Sequence, residues 1–311
     1  MNTFTTQPKP EHGSPEWLRS RQRDQQGRIR FGGSDAPTLM GVNDYATLVD
    51  LFIAKHDLEP TQVTSKAFHR GNLLEPVLIA EAGRLLNLSL LTPDVMFCRD
   101  RLMVNLDGAN SNDNPTVIVE AKTSTRYLIN DPIPKPYFWQ ATAQLACTNA
   151  EICYVICLDR RQEIGMWEVP RHEPHIQQIL EVAETIGSRF DNHEIPEGAT
   201  VEQIILLHPD PTGVVELDDD QHKLINQWSM VKTHLNALEE DEKALRNRIA
   251  EIIGEHQEAS FNGNVVATFK PRKLPSRLDQ KALQEAHPEL VEKFTKTGGT
   301  TRVLRLTKGK E

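Results

Sequence analysis

The order of apolar segments predicts an α/β fold. Three short extended runs, a helix and a further extended run succeed one another between residues 95 and 158, with helical periodicity on both sides. Hydrophobic residues at 38% and charged residues at 25%, with 17 Gly and 19 Pro dispersed over 311 residues, describe a globular chain with a proper core and about two domains.

Before Phe31 the chain is polar and rich in arginine, with Arg19, Arg21, Arg23, Arg28 and Arg30 around Trp17 and Leu18. Gly32-Gly33-Ser34-Asp35 then reads as a loop entering a short helix, Ser34 or Asp35 standing near its cap. Leu73, Leu74, Val77, Leu78, Ala82 and Leu85 recur at three- and four-residue steps and predict an amphipathic helix over 66–87, with Glu75 beside the stripe. Val95–Phe97, Leu102–Leu106 and Val117–Ala121 are separated by charged or Asn/Pro-containing turns and predict an antiparallel meander. Phe138–Thr148 reads as a helix, Ile152–Leu158 and Gly165–Val169 as strands, and Ile176–Phe190 as a closing helix.

A compact α/β domain over 1–195 is thus expected, followed by a Pro-containing linker over 196–217 that partly packs on its neighbours. Leu224, Trp228, Val231, Leu235, Leu238, Leu245, Ile249 and Ile252 then form a heptad seam interrupted only at Glu242, which predicts one long helix over 218–258. Phe261-Asn262-Gly263-Asn264 is a hairpin signal, and a helix over 279–296 with a last strand over 302–306 completes a small α+β module at 259–311.

Several function classes are excluded. No apolar run reaches the roughly 18 residues of a membrane helix, and the first residues lack a basic segment followed by an apolar one, so a cytoplasmic protein is expected. Cys98, Cys147, Cys153 and Cys157 lack Cys-x2-Cys pairing and read as reduced core thiols. The net charge of -9 argues against a generally basic nucleic-acid binder, but residues 261–311 hold 11 Lys and Arg against 5 Asp and Glu. With aromatics at 6%, interleaved stacking residues are not evident. His172 and His175 have a metal-compatible spacing but no third ligand, and no phosphate loop, Ser-His-Asp or Cys-His arrangement is visible.

Asp107 ends an apolar strand, and Glu120 and Lys122 share one face of the strand that returns after the turn. Two acids and a lysine on an otherwise apolar sheet call for compensation, and Mg2+ takes such carboxylate oxygens together with water and phosphate. An ammonium beside a metal-bound water favours hydroxide and offsets charge on a phosphorane, so phosphodiester hydrolysis is the implied reaction. The alternative is a surface strand with an ion pair next to a turn acid.

Leu106-Asp107 followed thirteen residues later by Glu120-Ala121-Lys122 resembles the core of the PD-(D/E)XK nuclease superfamily, with Leu in place of the usual Pro. Glu16-Trp17-Leu18-x-x-Arg21, Gly33-Ser34-Asp35, Arg70-Gly71-x-x-x-Glu75-Pro76, Leu106-Asp107-Gly108, Val119-Glu120-Ala121-Lys122 and Tyr137-x-x-Gln140 occur in the order seen in its lambda-exonuclease-like, YqaJ-type viral recombinase branch. The resemblance covers about residues 14–190. It implies a restriction-endonuclease-like core, a mixed central sheet flanked by helices, with the long heptad helix and the small module appended.

It further implies that Glu75, Asp107, Glu120 and the Ala121 carbonyl hold Mg2+, with Mn2+ expected to substitute, that Lys122 assists the nucleophile and that Gln140 supports it or the substrate. Arg21 and Ser34 match the family's positions for the terminal 5′-phosphate, although Gln22–Arg30 is longer than the family's usual spacing. Each has a plainer reading: Arg21 as a surface arginine, Ser34 as a helix cap, Gln140 as a buried amide, the seam as a packing stripe.

The implied activity is a 5′-3′ exonuclease on duplex DNA ends, phage- or prophage-encoded, working with a single-strand annealing protein and, as in some members of the family, as a ring of identical subunits. Tyr137, Lys270, Arg272, Lys273 and Arg277 are candidate DNA contacts. Two rivals are a structure-dependent or repair endonuclease on the same core and a DNA-binding or assembly protein that no longer cleaves.

Overall fold

The computed structural model describes residues 4–11, 14–56, 66–276, 278–296 and 301–307. Contacts divide the chain into two units, Met1–Pro209 and Asp210–Glu311.

In the first unit, β1 (Thr5–Pro8) is followed by α1 (Pro15–Gln22), whose start is set by Ser14 accepting from the Trp17 amide at 3.1 Å and by Pro15 in the first turn. β2 (Phe31–Gly32) leads through a 3-10 turn at Gly33–Asp35 into α2 (Ala36–Leu39). α3 (Leu48–Lys55) opens with a capping box between Thr47 and Asp50. After it come α4 (Lys66–Leu86), β3 (Val95–Arg99), β4 (Leu102–Val104), β5 (Gly108–Ala109) and β6 (Val117–Thr123). α5 (Lys135–Ala146), β7 (Ile152–Leu158), β8 (Ile164–Pro170), α6 (Glu173–Asp191) and α7 (Val201–Leu207) complete the unit.

The strands form two sheets rather than the expected meander. One has the order β1-β3-β4-β2, the other β5-β6-β7-β8, with β6 and β7 parallel and the outer pairs antiparallel. The predicted strand over 102–106 ends at Val104 because Asn105–Asp107 leaves the ladder, burying Leu106 in the core and turning Asp107 toward β6.

α4 covers one face of the central sheet, where Leu78, Ile79 and Ala82 pack on Val119 and Ile156. The other face carries Ile118, Cys153, Val155 and Trp167, packed with α5 and α6 in the main core. The buried stripe of α4 is therefore narrower than its periodicity suggested. Leu73 and Val77 stand 64% and 58% exposed, since only the residues facing Val119 and Ile156 meet the sheet. All four cysteines are buried and free. His172 caps α6.

The segment read as a linker holds α7, capped by Thr200 and tied to α3 through a bond from Gln203 to Asp50 of 2.6 Å. The first unit accordingly reaches Pro209.

In the second unit, α8 (Asp219–Ile253) starts at a capping box between Asp218 and Gln221 and ends at Gly254, whose φ of 55° stops it short of residue 258. Its seam is exposed at Leu224, Val231, Leu235, Leu238 and Leu245. β9 (Glu258–Phe261) and β10 (Asn264–Thr268) form the expected hairpin, with positive φ at both Asn262 and Gly263 as a type I′ turn requires. The predicted helix over 279–296 is two helices, α9 (Gln280–Ala286) and α10 (Pro288–Phe294), because the residue before Pro288 is driven out of helical geometry. Residues 302–306 form no strand ladder with any described residue.

Candidate active site

Alternation along β6 sends Val119 and Ala121 toward α4, and Glu120 and Lys122 toward α5. The β5–β6 register pairs Gly108 with Val119, which carries Asp107 alongside Glu120. The Asp107 carboxylate accepts a hydrogen bond from the Ala121 amide at 2.9 Å. Glu75 on α4 lines the same cavity as Asp107, Glu120, Ala121 and Lys122, a space of about 250 Å³. The four polar side chains that define the motif thus share one cleft.

Glu120 is 4% exposed, and its carboxylate is held from three directions. Lys122 Nζ approaches Oε1 at 2.6 Å and Gln140 Nε2 donates to the same oxygen at 2.5 Å. Gln144 Nε2 donates to Oε2, and the Gln144 carbonyl oxygen accepts from the Cys153 thiol at 3.6 Å. Gln144 is absent from the residues singled out in the sequence. The signal was available, because Gln140 and Gln144 are four apart and so face the same way from α5.

Charge at the cleft is unbalanced. Burial first, then the neighbouring Glu120 and the more distant Glu75, hold the Asp107 carboxyl well above its ordinary range, against the pull of Lys122 and the Ala121 amide. Burial opposes the charge on Lys122, but Glu120 and Asp107 outweigh it and raise its pKa. The Lys122 ammonium also lies 5.7 Å from the ring centre of Tyr137. Burial raises the phenol of Tyr137, which packs edge-on against Tyr127.

The donor set suits a hard divalent cation: carboxylates of Glu75, Asp107 and Glu120 and the Ala121 carbonyl beside one cavity, carrying negative charge that Lys122 does not fully offset. As placed, no three His, Cys, Asp or Glu among the described residues are gathered into a ligand cluster, and Glu120 is engaged by Lys122 and the two glutamines.

Arg21 and Ser34, thirteen residues apart, meet: Arg21 Nη2 donates to Ser34 Oγ at 3.1 Å. Trp17 lies under the guanidinium, 4.7 Å from its ring centre. Asp35 and Lys55, the latter not singled out in the sequence, hold this corner. Lys55 pairs with Asp35 at 2.7 Å and donates to the Arg21 carbonyl at 2.9 Å, while Asp35 accepts from the Gly32 amide at 2.8 Å. At Gly33, a Cβ would come within 3.2 Å of Val104 Cγ1 and 3.7 Å of Gln144 Cγ, so the loop backbone rests against the residue that holds Glu120.

Lys270, Arg272 and Lys273 lie in the second unit just after β10, where Lys270 pairs with Glu258 and the other two are exposed. Arg277 lies outside the described residues.

A mixed-sheet α/β unit with an acidic cleft on β6 and an Arg–Ser corner over α5 is the setting in which the motif order of the sequence takes its meaning. Residues 16–151 match the YqaJ-like viral recombinase domain, so this part of the chain is similar to that family. Over 307 residues, 92% of either chain, the protein is 24% identical to the uncharacterized protein YqaJ of Bacillus subtilis (strain 168). Among solved structures it is similar to an alkaline exonuclease from Laribacter hongkongensis, with a TM-score of 0.45 and 17% identity over 58% of this chain and 94% of that one. It is also similar to a phage related exonuclease from Haemophilus somnus 129PT, with a TM-score of 0.42 and 12% identity over 53% and 95%. No helix among the described residues is long and apolar enough to cross a membrane.

Proposed function

We propose that this protein is a divalent-metal-dependent DNA exonuclease that hydrolyses phosphodiester bonds from duplex ends in the 5′-3′ direction, producing single strands for an annealing partner in phage-type recombination. The observation that carries the reading is the convergence of Glu75, Asp107, Glu120 and Lys122 on one cleft.

Glu75, Asp107, Glu120 and the Ala121 carbonyl would hold Mg2+, with Mn2+ as a substitute. When bound, the ion supplies Lewis acidity at the scissile phosphate and lowers the pKa of a water. The chain's own contribution is positional and electrostatic. Gln140 and Gln144 fix the plane of the Glu120 carboxylate, and the Ala121 amide orients Asp107. Lys122 keeps its proton at neutral pH and offers an ammonium to the phosphate oxygens, where charge builds during displacement. The Arg21 guanidinium and Ser34 hydroxyl provide charge-assisted donors for a terminal 5′-phosphate, which sets the polarity.

The testing experiment is digestion of a linear 5′-phosphorylated duplex and of the same DNA as a closed circle, with Mg2+ or EDTA, by wild type and Glu120→Ala. Mg2+-dependent loss of the linear form alone, abolished in the variant, is expected. Cutting of the circle would replace the proposal with an endonuclease, and no cutting with any metal would leave a binding or assembly role.

A further inference from the structure

The low aromatic content of the chain conceals where one ring stands. Tyr45 is 86% exposed, whereas the other described aromatic residues of the first unit are buried or half-buried. A single exposed ring is ordinary on a protein surface, so what distinguishes this one is how it is held and what it is joined to. The loop that bears it is built to hold it out. Asn43 donates its side-chain amide to Thr38 Oγ1 at 2.8 Å and accepts from the Tyr45 amide at 2.9 Å, and two residues on Thr47 caps α3.

This loop is joined to the chain leaving the catalytic strand. Arg126, four residues beyond Lys122, is ion-paired with Asp44 and lies within hydrogen-bonding reach of the Tyr45 hydroxyl. Its own backbone is pinned by Ser124, which accepts from the amides of Arg126 at 3.0 Å and Tyr127 at 2.8 Å. The Arg126 guanidinium lies 5.5 Å from the Tyr127 ring centre, Tyr127 lies 5.4 Å from Tyr137, and Tyr137 lies 5.7 Å from Lys122 Nζ. Each step is a single contact, which keeps Tyr45 within the span of a few nucleotides, at about 3.4 Å each, of the Lys122 ammonium.

We infer that Tyr45 is a base-stacking site for the DNA strand entering the cleft, with Arg126 and Asp44 holding its loop to the catalytic strand. The inference rests on the nuclease reading and adds a sequence-independent contact to it, since every base offers a π-face to a rigid ring. Asp44 neutralises Arg126, so the loop offers the strand an aromatic surface rather than a phosphate clamp.

The test uses the full chain, Mg2+ and a 5′-phosphorylated duplex with a short single-stranded end, phosphorothioate-linked against hydrolysis and carrying 2-aminopurine at successive positions. Wild type is expected to quench the probe at one position. Tyr45→Ala should lose that quench and weaken binding roughly fivefold to a hundredfold, while Tyr45→Phe stays within about twofold. The melting temperature of Tyr45→Ala should equal wild type, because the ring buries little. Unchanged affinity and quench in Tyr45→Ala, with wild type binding, overturn the stacking site alone. Absence of DNA binding by wild type overturns the nuclease reading together with it.

Discussion

The side-chain amide of Gln144 presents its NH2 to the Glu120 carboxylate, which can only accept, and its carbonyl oxygen to the Cys153 thiol at 3.6 Å. The bond to the carboxylate fixes the orientation of the amide, and the Cys153 thiol on the adjacent strand β7 complements it as a weak donor to the amide oxygen. Gln144→Leu removes the donor from a buried oxygen. It should cost about 1–3 kcal/mol of stability and slow digestion at least tenfold. Urea melts and initial rates check this, and a variant equal to wild type in both would show that Glu120 does not depend on Gln144.

Asp107 provides a test of the proposed metal site that needs no turnover. Its folded-state pKa is raised above 3.8 by burial and by Glu120 and Glu75, so its ionisation destabilises the metal-free fold as pH rises past that ordinary value. Asp107→Asn should therefore melt above wild type in EDTA at pH 7, with the difference vanishing in acid where both side chains are neutral. Mg2+ should raise the melting temperature of wild type and leave that of Asp107→Asn unchanged. The opposite order in EDTA would contradict the charge imbalance.

The Asp35–Lys55 pair has the reverse sign. Burial works against the Asp35 carboxylate, but Lys55, the Gly32 amide and Arg21 together hold its pKa below 3.8. The stability it contributes is fully present above that value and is lost as pH falls through the lower folded-state pKa. With Lys55 7% and Asp35 17% exposed, Asp35→Asn should cost about 3 kcal/mol at pH 7 by stranding the lysine. Thermal melts from pH 7 down to strong acid should show the gap closing; a constant gap would assign the loss to packing.

Arg21→Ala and Ser34→Ala should equalise digestion of duplexes with 5′-phosphate and 5′-hydroxyl ends, which wild type should digest at different rates. A preference retained in both variants would remove this corner from end recognition.

For α8, the exposed seam at Leu224, Val231, Leu235 and Leu238 predicts association through this helix. Leu235→Lys with Leu238→Lys should lower the mass measured by light scattering, and an unchanged mass would separate oligomerisation from the seam.

Much of this was legible in the sequence, for identifiable reasons. Asp107, Glu120 and Lys122 could be read because strand alternation fixes faces without tertiary detail, and the Asn262-Gly263 turn because only a few residues tolerate its backbone. Gln144 was hidden because a buried amide looks like any polar helix residue until its partner is known. The inner face of α4 was misjudged because apolar spacing marks a stripe but not the width of the surface it meets. The division of the expected meander turned on three residues, Asn105–Asp107, whose departure from the ladder answers to the site rather than to local propensity.

The Ile29 amide donates to the Asp191 carboxylate at 2.7 Å, and Arg101 spans the same two residues, giving its guanidinium to Asp191 at 2.6 Å and to the Ile29 carbonyl at 3.2 Å. The chain entering β2 is therefore fastened to the last turn of α6, 162 residues later in the chain. During synthesis on the ribosome, this fastening must wait until Asp191 has emerged from the exit tunnel, by which time α7 has been translated behind it. The strands can pair early, but the unit closes late, and a chain stalled before α6 would be left with the Ile29 edge open to aggregation.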